Sequence, residues 1–175
     1  NGKLATEHVI AQGCKRIAHI RGQHTPIGNL RAEGYLAALK QHGLKSLEGF
    51  VIAAGDASDT DGETRGKKAM TSLLALKSRP DAVFCFNDTI ALGAMFRAFD
   101  AGLRVPKDMA LVGSGNFHYS SKLRVPLSSI DQHAGEIGER TARMIISLLA
   151  KKQSTRPKSI VLEPSLVARA SSLRK

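Results

Sequence analysis

The chain has 175 residues, 42 % of them apolar and 23 % charged, which is enough length and hydrophobicity to bury a core and excludes a disordered segment. No stretch approaches the roughly 18 consecutive apolar residues that a membrane-crossing helix needs, so no membrane partner is expected. The net charge of +11 raises the question of nucleic acid, because Lys and Arg neutralise phosphates. Those charges are scattered or gathered in the tail: residues 151–175 hold seven Lys and Arg against Glu163, whereas residues 51–100 hold six basic and seven acidic side chains. With no aromatic interleaving, zinc spacing or recognition-helix pattern, they read as a solvated basic surface.

The chain opens Asn1-Gly2-Lys3-Leu4, without an initiator Met or a signal-peptide apolar stretch, as in a processed or truncated chain. A first helix fits Leu4, His8, Val9 and Ile10, with Gly13 as its cap. Residues 16–21 read as a strand stopped by Gly22, and residues 29–42 as a helix carrying Leu30, Tyr35, Leu36 and Leu39. Residues 50–54 are a second strand. Asp61 is an N-cap for a helix whose Ala69, Met70, Leu73, Leu74 and Leu76 lie mainly on one face, broken at Pro80-Asp81. Residues 82–86 form an apolar strand, as when both faces are covered, and Asn87-Asp88-Thr89 supplies cap chemistry for a helix that Gly102 ends. Residues 110–113 are a fourth strand, 114–122 a polar loop, 127–130 a short extended piece, and 134–149 a strong helix. After a charged connector, Ile160-Val161-Leu162 and Leu166-Val167-Ala168 read as closing strands. This alternation predicts an α/β fold, a parallel sheet with helices on both faces.

Cys14 and Cys85 make no disulfide framework, and Cys85 lies in the apolar run Val83-Phe84-Cys85-Phe86; both read as free thiols in a reducing compartment. None of the six histidines has metal-ligand spacing with a cysteine or carboxylate, so no metal or other cofactor is expected.

In parallel sheets ligands bind beyond the carboxyl ends of the strands. Four strands end in polar or glycine-rich loops there: residues 22–28, 55–62, 87–88 and 113–118. Arg31 can lean its planar fork of donors over this rim, or simply be a helix-surface arginine. Asn87 follows a buried strand and can give and take hydrogen bonds, or cap a helix. Enzyme motifs fail. Gly62-Glu63-Thr64-Arg65-Gly66-Lys67-Lys68 has three residues between its glycines and Lys68 where a phosphate loop needs Ser or Thr. Leu111-Val112-Gly113-Ser114-Gly115-Asn116 starts like a dinucleotide fingerprint, with Asp131 at a fitting distance, but His118 replaces the third glycine. Ser114 lacks the outer glycine spacing of a nucleophile elbow. No catalytic residues are assigned.

Several segments together resemble the LacI family of transcription repressors. They are Ala5-Thr6-Glu7-His8-Val9-Ile10, Gly13-Cys14-Lys15-Arg16-Ile17-Ala18-His19-Ile20 and Arg31-Ala32-Glu33-Gly34-Tyr35-Leu36-Ala37-Ala38-Leu39. Pro80-Asp81-Ala82-Val83-Phe84-Cys85-Phe86-Asn87-Asp88, Ala91-Leu92-Gly93-Ala94, Gly102-Leu103-Arg104-Val105-Pro106-Lys107-Asp108, Val112-Gly113 and Pro126-Leu127-Ser128-Ser129-Ile130-Asp131-Gln132 follow in order. The resemblance covers essentially the whole chain, and it implies the second lobe of a two-lobed, periplasmic-binding-protein-like (type I) effector domain over residues 1–131. Residues 132–158 would be a helix and connector belonging to the first lobe, and residues 159–175 return strands and a basic tail. The helix-turn-helix and most of the first lobe would lie outside this segment, so operator DNA would be bound through that amino-terminal domain.

Carried over by position, the resemblance implies that Arg31, Asn87 and Gln132 hydrogen-bond the effector, and that Leu92, Met95, Phe96 and Leu123 face a homodimer partner. Gly115-Asn116 stands where the family usually has an acidic pair, and Ala57 where an aromatic platform often follows Gly-Asp. Asn116, His118 or His24-Thr25 would compensate. The implied function is effector sensing and dimerisation in a cytoplasmic repressor, controlled by a small polar metabolite of the sugar class. A solute-binding protein of a transporter is the rival reading; a helix-turn-helix encoded upstream would favour the repressor and an apolar leader the transporter component. An α/β enzyme of unrecognised type comes third.

Overall fold

Strand burial sets the architecture. In the computed structural model, which describes residues 1–23, 25–54, 61–150 and 159–174, β3 (Ala82–Cys85) and β4 (Ala110–Ser114) are buried at every position. Such strands need cover on both faces, and four helices provide it. Alternate side chains sort to opposite sides of the sheet. Ile17, Ala82, Phe84, Ala110, Val112 and Ile130 pack with Ala5 and Val9 of α1 (Gly2–Ala11) and Tyr35 and Leu39 of α2 (Pro26–Gln41). Ala18, Ile20, Val83, Cys85 and Leu111 pack with Met70 and Leu73 of α3 (Gly62–Leu74) and Ala91 and Met95 of α4 (Asp88–Asp100).

With β1 (Ile17–Arg21), β2 (Val51–Ala53), β5 (Ser128–Asp131) and β6 (Ser165–Val167), the sheet has six strands in the order β2-β1-β3-β4-β5-β6. The first five are parallel, and β6 closes the edge antiparallel to β5, Leu166 beside Ile130. Thr25 caps α2 by accepting from the Gly28 N–H, Asp61 caps α3 through Thr64, and Asn87 caps α4 through Ile90. All three helices therefore start at the carboxyl end of the parallel strands.

The glycines of the phosphate-loop look-alike have a packing role. Gly62 and Gly66 lie inside α3, and a Cβ on Gly66 would sit 2.0 Å from the Ile90 carbonyl oxygen, just as one on Gly93 would sit 1.9 Å from that of Glu63. Bare backbones let α3 and α4 touch. Cys14 and Cys85 are free and buried. No helix among the described residues is long and apolar enough to cross a membrane.

The carboxyl-terminal segment differs in part from expectation. Residues 165–167 join the sheet, but Ile160-Val161-Leu162, read as a strand, forms none. Ile160 and Leu162 instead line a shallow cavity of about 210 Å³ with Ile137 and Met144 of α5 (Ala134–Ala150), so these two residues follow the helix rather than the sheet, and Val161 is exposed. None of the residues of α5 is buried. The connector 151–158 lies outside the described residues.

Candidate functional site at the carboxyl ends of the strands

β1 lies between β2 and β3, so the connections leaving β1 and β3 diverge and open a crevice, the usual ligand position in such sheets. A cavity of about 310 Å³ occupies it, lined by Gln23 and Thr25, by Gly62 and Arg65 of α3, and by Phe86, Asn87, Thr89 and Ile90. Phe86 is its aromatic element: its N–H donates to the Ile20 carbonyl at 2.8 Å. A Cβ on Gly22 would be 2.8 Å from the Phe86 ring, so glycine is what admits the aromatic at the end of β1.

Arg31 binds this crevice to the far side of the sheet. Projecting from the second turn of α2, it is 8 % exposed, and its guanidinium lies 4.2 Å over the Phe86 ring. Nη1 donates to the Phe86 carbonyl and Nη2 to Gln132 Oε1 at 3.3 Å. Gln132 Nε2 in turn donates to Ser114 Oγ at 3.4 Å, which also receives Asn1 Nδ2 at 3.2 Å. The ends of β3, β4 and β5 thus share one hydrogen-bonded string with α2. Burial pushes the Arg31 pKa down from its ordinary value.

A second polar group braces the loop after β4. Asp88 is fully buried and accepts from Phe117 N at 2.8 Å, Ser120 Oγ at 2.7 Å and Ser129 Oγ at 2.6 Å. A Cβ on Gly113 would lie 2.2 Å from Asp88 Oδ1, so the fingerprint-like glycine makes room for this carboxylate. Asp131 accepts from His133 N and from Asn116 Nδ2. Burial alone would raise its pKa, but these donors with the charges of His133 and Arg169 outweigh burial and hold it low.

The structure brings Arg31, Gln132 and Asn87 to one rim, with Thr25 lining the cavity beside Asn87. Thr25 and Asn87 each spend their side-chain oxygen on a helix cap. Asn116 stands apart: at φ 48° its amide turns to Asp131 and to Arg169, whose Nη2 donates to Asn116 Oδ1 at 2.6 Å. His118 is exposed, edge-on to Tyr119. His24 and residues 55–60, with Ala57, lie outside the described residues. On α4, Leu92 is half-buried and Phe96 is 37 % exposed, while Met95, read as a partner-facing residue, is 1 % exposed and packs in the core. Leu123 is half-buried against the same core.

Sequence reasoning missed Phe86, Ser114 and Asn1, whose contacts join residues up to 113 apart. It also passed over His19, which is fully buried beneath this rim and stacked on Phe84 at 4.7 Å. Burial pushes its pKa down to about 4. With Nδ1 donating to the Phe84 carbonyl, Nε2 has no partner among the described residues. Nor do the described residues hold a group of three His, Cys, Asp or Glu able to bind a metal.

The chain belongs to the periplasmic binding protein-like domain family, whose description matches residues 6–172. Among its relatives, the transcriptional repressor PurR of Mannheimia succiniciproducens is 34 % identical over 97 % of this chain and 49 % of its own length. The ribose operon repressor of Escherichia coli K12 is 36 % identical over 97 % and 50 %. Solved structures agree. The transcriptional regulator CelR in complex with cellobiose matches with a TM-score of 0.84 and 33 % identity over 97 % of this chain and 50 % of its own. A LacI-family regulator from Sanguibacter keddieii matches with a TM-score of 0.88 and 28 % identity over 98 % and 63 %. The chain spans about half the length of the curated relatives it matches.

Proposed function

We propose that this chain is the effector-sensing and dimerisation part of a LacI-family repressor working in the cytoplasm. Residues 1–131 would form one lobe of the effector domain, α5 and the connector to 158 would belong with the other lobe, and residues 159–175 would return to the first. A small polar metabolite of the sugar class would sit between lobes, held by Arg31, Gln132 and Asn87 over the Phe86 ring. By binding two lobe arrangements unequally it would shift operator affinity, since a ligand moves only equilibria whose states it distinguishes. The observation that carries this reading is the string Phe86–Arg31–Gln132–Ser114, which gathers residues from distant parts of the sequence around one cleft. The names of the relatives, and cellobiose in CelR, support a repressor over a transporter component or an enzyme. Leu92, Phe96 and Leu123 would face a second copy, and DNA would be read by an amino-terminal domain beyond this segment.

Arg31→Ala in the full-length protein tests the reading. Effector binding, measured by calorimetry, weakens roughly tenfold or more, the usual consequence of losing a hydrogen bond to a charged donor. Operator affinity without ligand stays within about twofold in a gel-shift titration, by the same scale. Equal effector affinity in variant and parent removes Arg31 from the site.

A further inference from the structure

The amino ends of the parallel strands, opposite the crevice, have a hollow of their own. Pro106 and Lys107 precede β4, and with Ala170, Leu173 and Arg174 they line a cavity of about 620 Å³, twice the volume of the crevice. Leu173 is 44 % exposed there, an apolar side chain held against water and rimmed by charge. Arg174 is a fixed wall. Its Nε donates to the Pro106 carbonyl at 3.1 Å, its Nη2 to the Asp81 carbonyl at 2.6 Å, and its N–H to Gln12 Oε1 at 3.1 Å. The family description stops at residue 172, so Leu173 and Arg174 lie beyond the family's common body.

Cations crowd this pole. The Asp81 carboxylate accepts from the N–H groups of Lys15 and Arg16, and Arg16 Nε donates to the Arg79 carbonyl. Lys15, Arg16 and Arg79, all exposed, therefore stand beside Arg174 and the exposed Lys107. The acids described at this end are engaged. Asp81 holds the turn before β1, Arg104 clamps Asp108 at 2.6 Å, Glu48 lines a separate hollow with Lys77, and Asp100 faces Lys67 of α3. Part of the positive charge offsets the negative ends of helices that finish here, but α2 and α4 already carry Lys40 and Arg97 in their last turns. A two-fold contact with another copy would set these cations against each other. A phosphate backbone would use the charge and leave the hollow empty. An acidic segment built around an apolar side chain matches both features.

We propose that this pole docks a partner protein through an acidic segment whose apolar side chain enters the hollow between Pro106 and Leu173. Its carboxylates face Lys107, Arg174, Arg16 and Lys15. Opposite charge then steers the encounter, and the apolar anchor sets how long the complex lasts.

Full-length protein is titrated by fluorescence polarisation with a labelled octapeptide in which Glu and Asp flank a central Leu-Leu pair. Two control peptides of the same length carry serine for leucine, or lysine for the acids. The acidic leucine peptide binds, and raising salt from about 50 to about 500 mM weakens it at least roughly fivefold as screening takes hold. Lys107→Glu weakens it roughly fivefold or more, the effect of setting like charges together. Leu173→Ser weakens it roughly tenfold, the loss of one buried leucine contact. Both substituted side chains are exposed, so each variant keeps a thermal midpoint near that of the parent. The proposal is overturned if the acidic leucine peptide fails to bind, if either control binds as tightly, or if neither substitution weakens it. Displacement of the peptide by a short DNA duplex of unrelated sequence overturns it in favour of nucleic acid. A higher-order assembly in sedimentation that Leu173→Ser dissolves overturns it in favour of a second copy.

Discussion

α3 and α5 carry the same message in sequence, an apolar stripe along a helix, and meet opposite fates. Ala69, Met70, Leu73 and Leu74 of α3 are buried between the sheet and α4. Ile137, Ile145, Ile146 and Leu149 of α5 are 47, 52, 66 and 82 % exposed. Amphipathicity states that a helix needs a partner, not which one. For α3 the partner is supplied by apolar residues drawn from 18–127; for α5 the described residues supply only the strip around Ile160 and Leu162. That contrast fits a chain spanning half of its relatives.

The largest expected effect tests the contrast directly. Leu73→Ala should cost roughly 2–5 kcal/mol in urea unfolding, the range for a buried leucine, whereas Ile146→Ala in this chain should stay within about 0.5 kcal/mol. Equal losses would mean that α5 is packed after all. If the proposed second lobe covers α5, Ile146→Ala should become costly in the full-length protein. A second effect, of about 3 kcal/mol at most, sharpens the description of the well-covered body. His19 titrates at about 4 when folded against 6.5 when free, so the unfolded chain holds more protons between those values. Stability should be complete above pH 6.5 and fall as pH drops toward 4. His19→Gln should flatten that slope in urea midpoints measured against pH; an unchanged slope would assign it to other groups. The smallest effect on stability concerns the proposed partner-facing residues of α4 and of the loop between β4 and β5. Leu92→Lys or Leu123→Lys should cost about 1 kcal/mol or less, because each is only half-buried. Either should still shift the full-length protein toward monomer in sedimentation. Unchanged mass would reject that surface.

Local signals made most of the fold legible. Continuous apolar runs marked β3 and β4, cap residues marked the starts of α3 and α4, and the alternation of elements implied the parallel sheet. The triplet Ile160-Val161-Leu162 misled because β-branched residues suit a pleated surface, and nothing local says that a helix will take Ile160 and Leu162 instead. At the site, Arg31, Asn87 and Gln132 could be named because each matched a family position. Phe86 looked like one more residue of a buried strand, and Ser114 like part of a failed motif. Their roles depend on Gly22 and on Asn1, 113 residues from Ser114, which only the folded chain brings close. Met95 is placed on the partner-facing side by the resemblance alone, and carry-over by position does not show that in this chain its side chain packs inward, 1 % exposed.

The antiparallel edge strand sets an order of events during synthesis. The Leu111 N–H donates to the Ser171 carbonyl, the Pro126 carbonyl accepts from the Ser171 N–H, and the Ser128 N–H donates to the Ser171 hydroxyl. Until the ribosome releases residues 165–172, the β5 side of the sheet is a bare margin able to pair with any passing strand. The β5 edge of the sheet is thus closed only once residues 165–172 have folded back onto it.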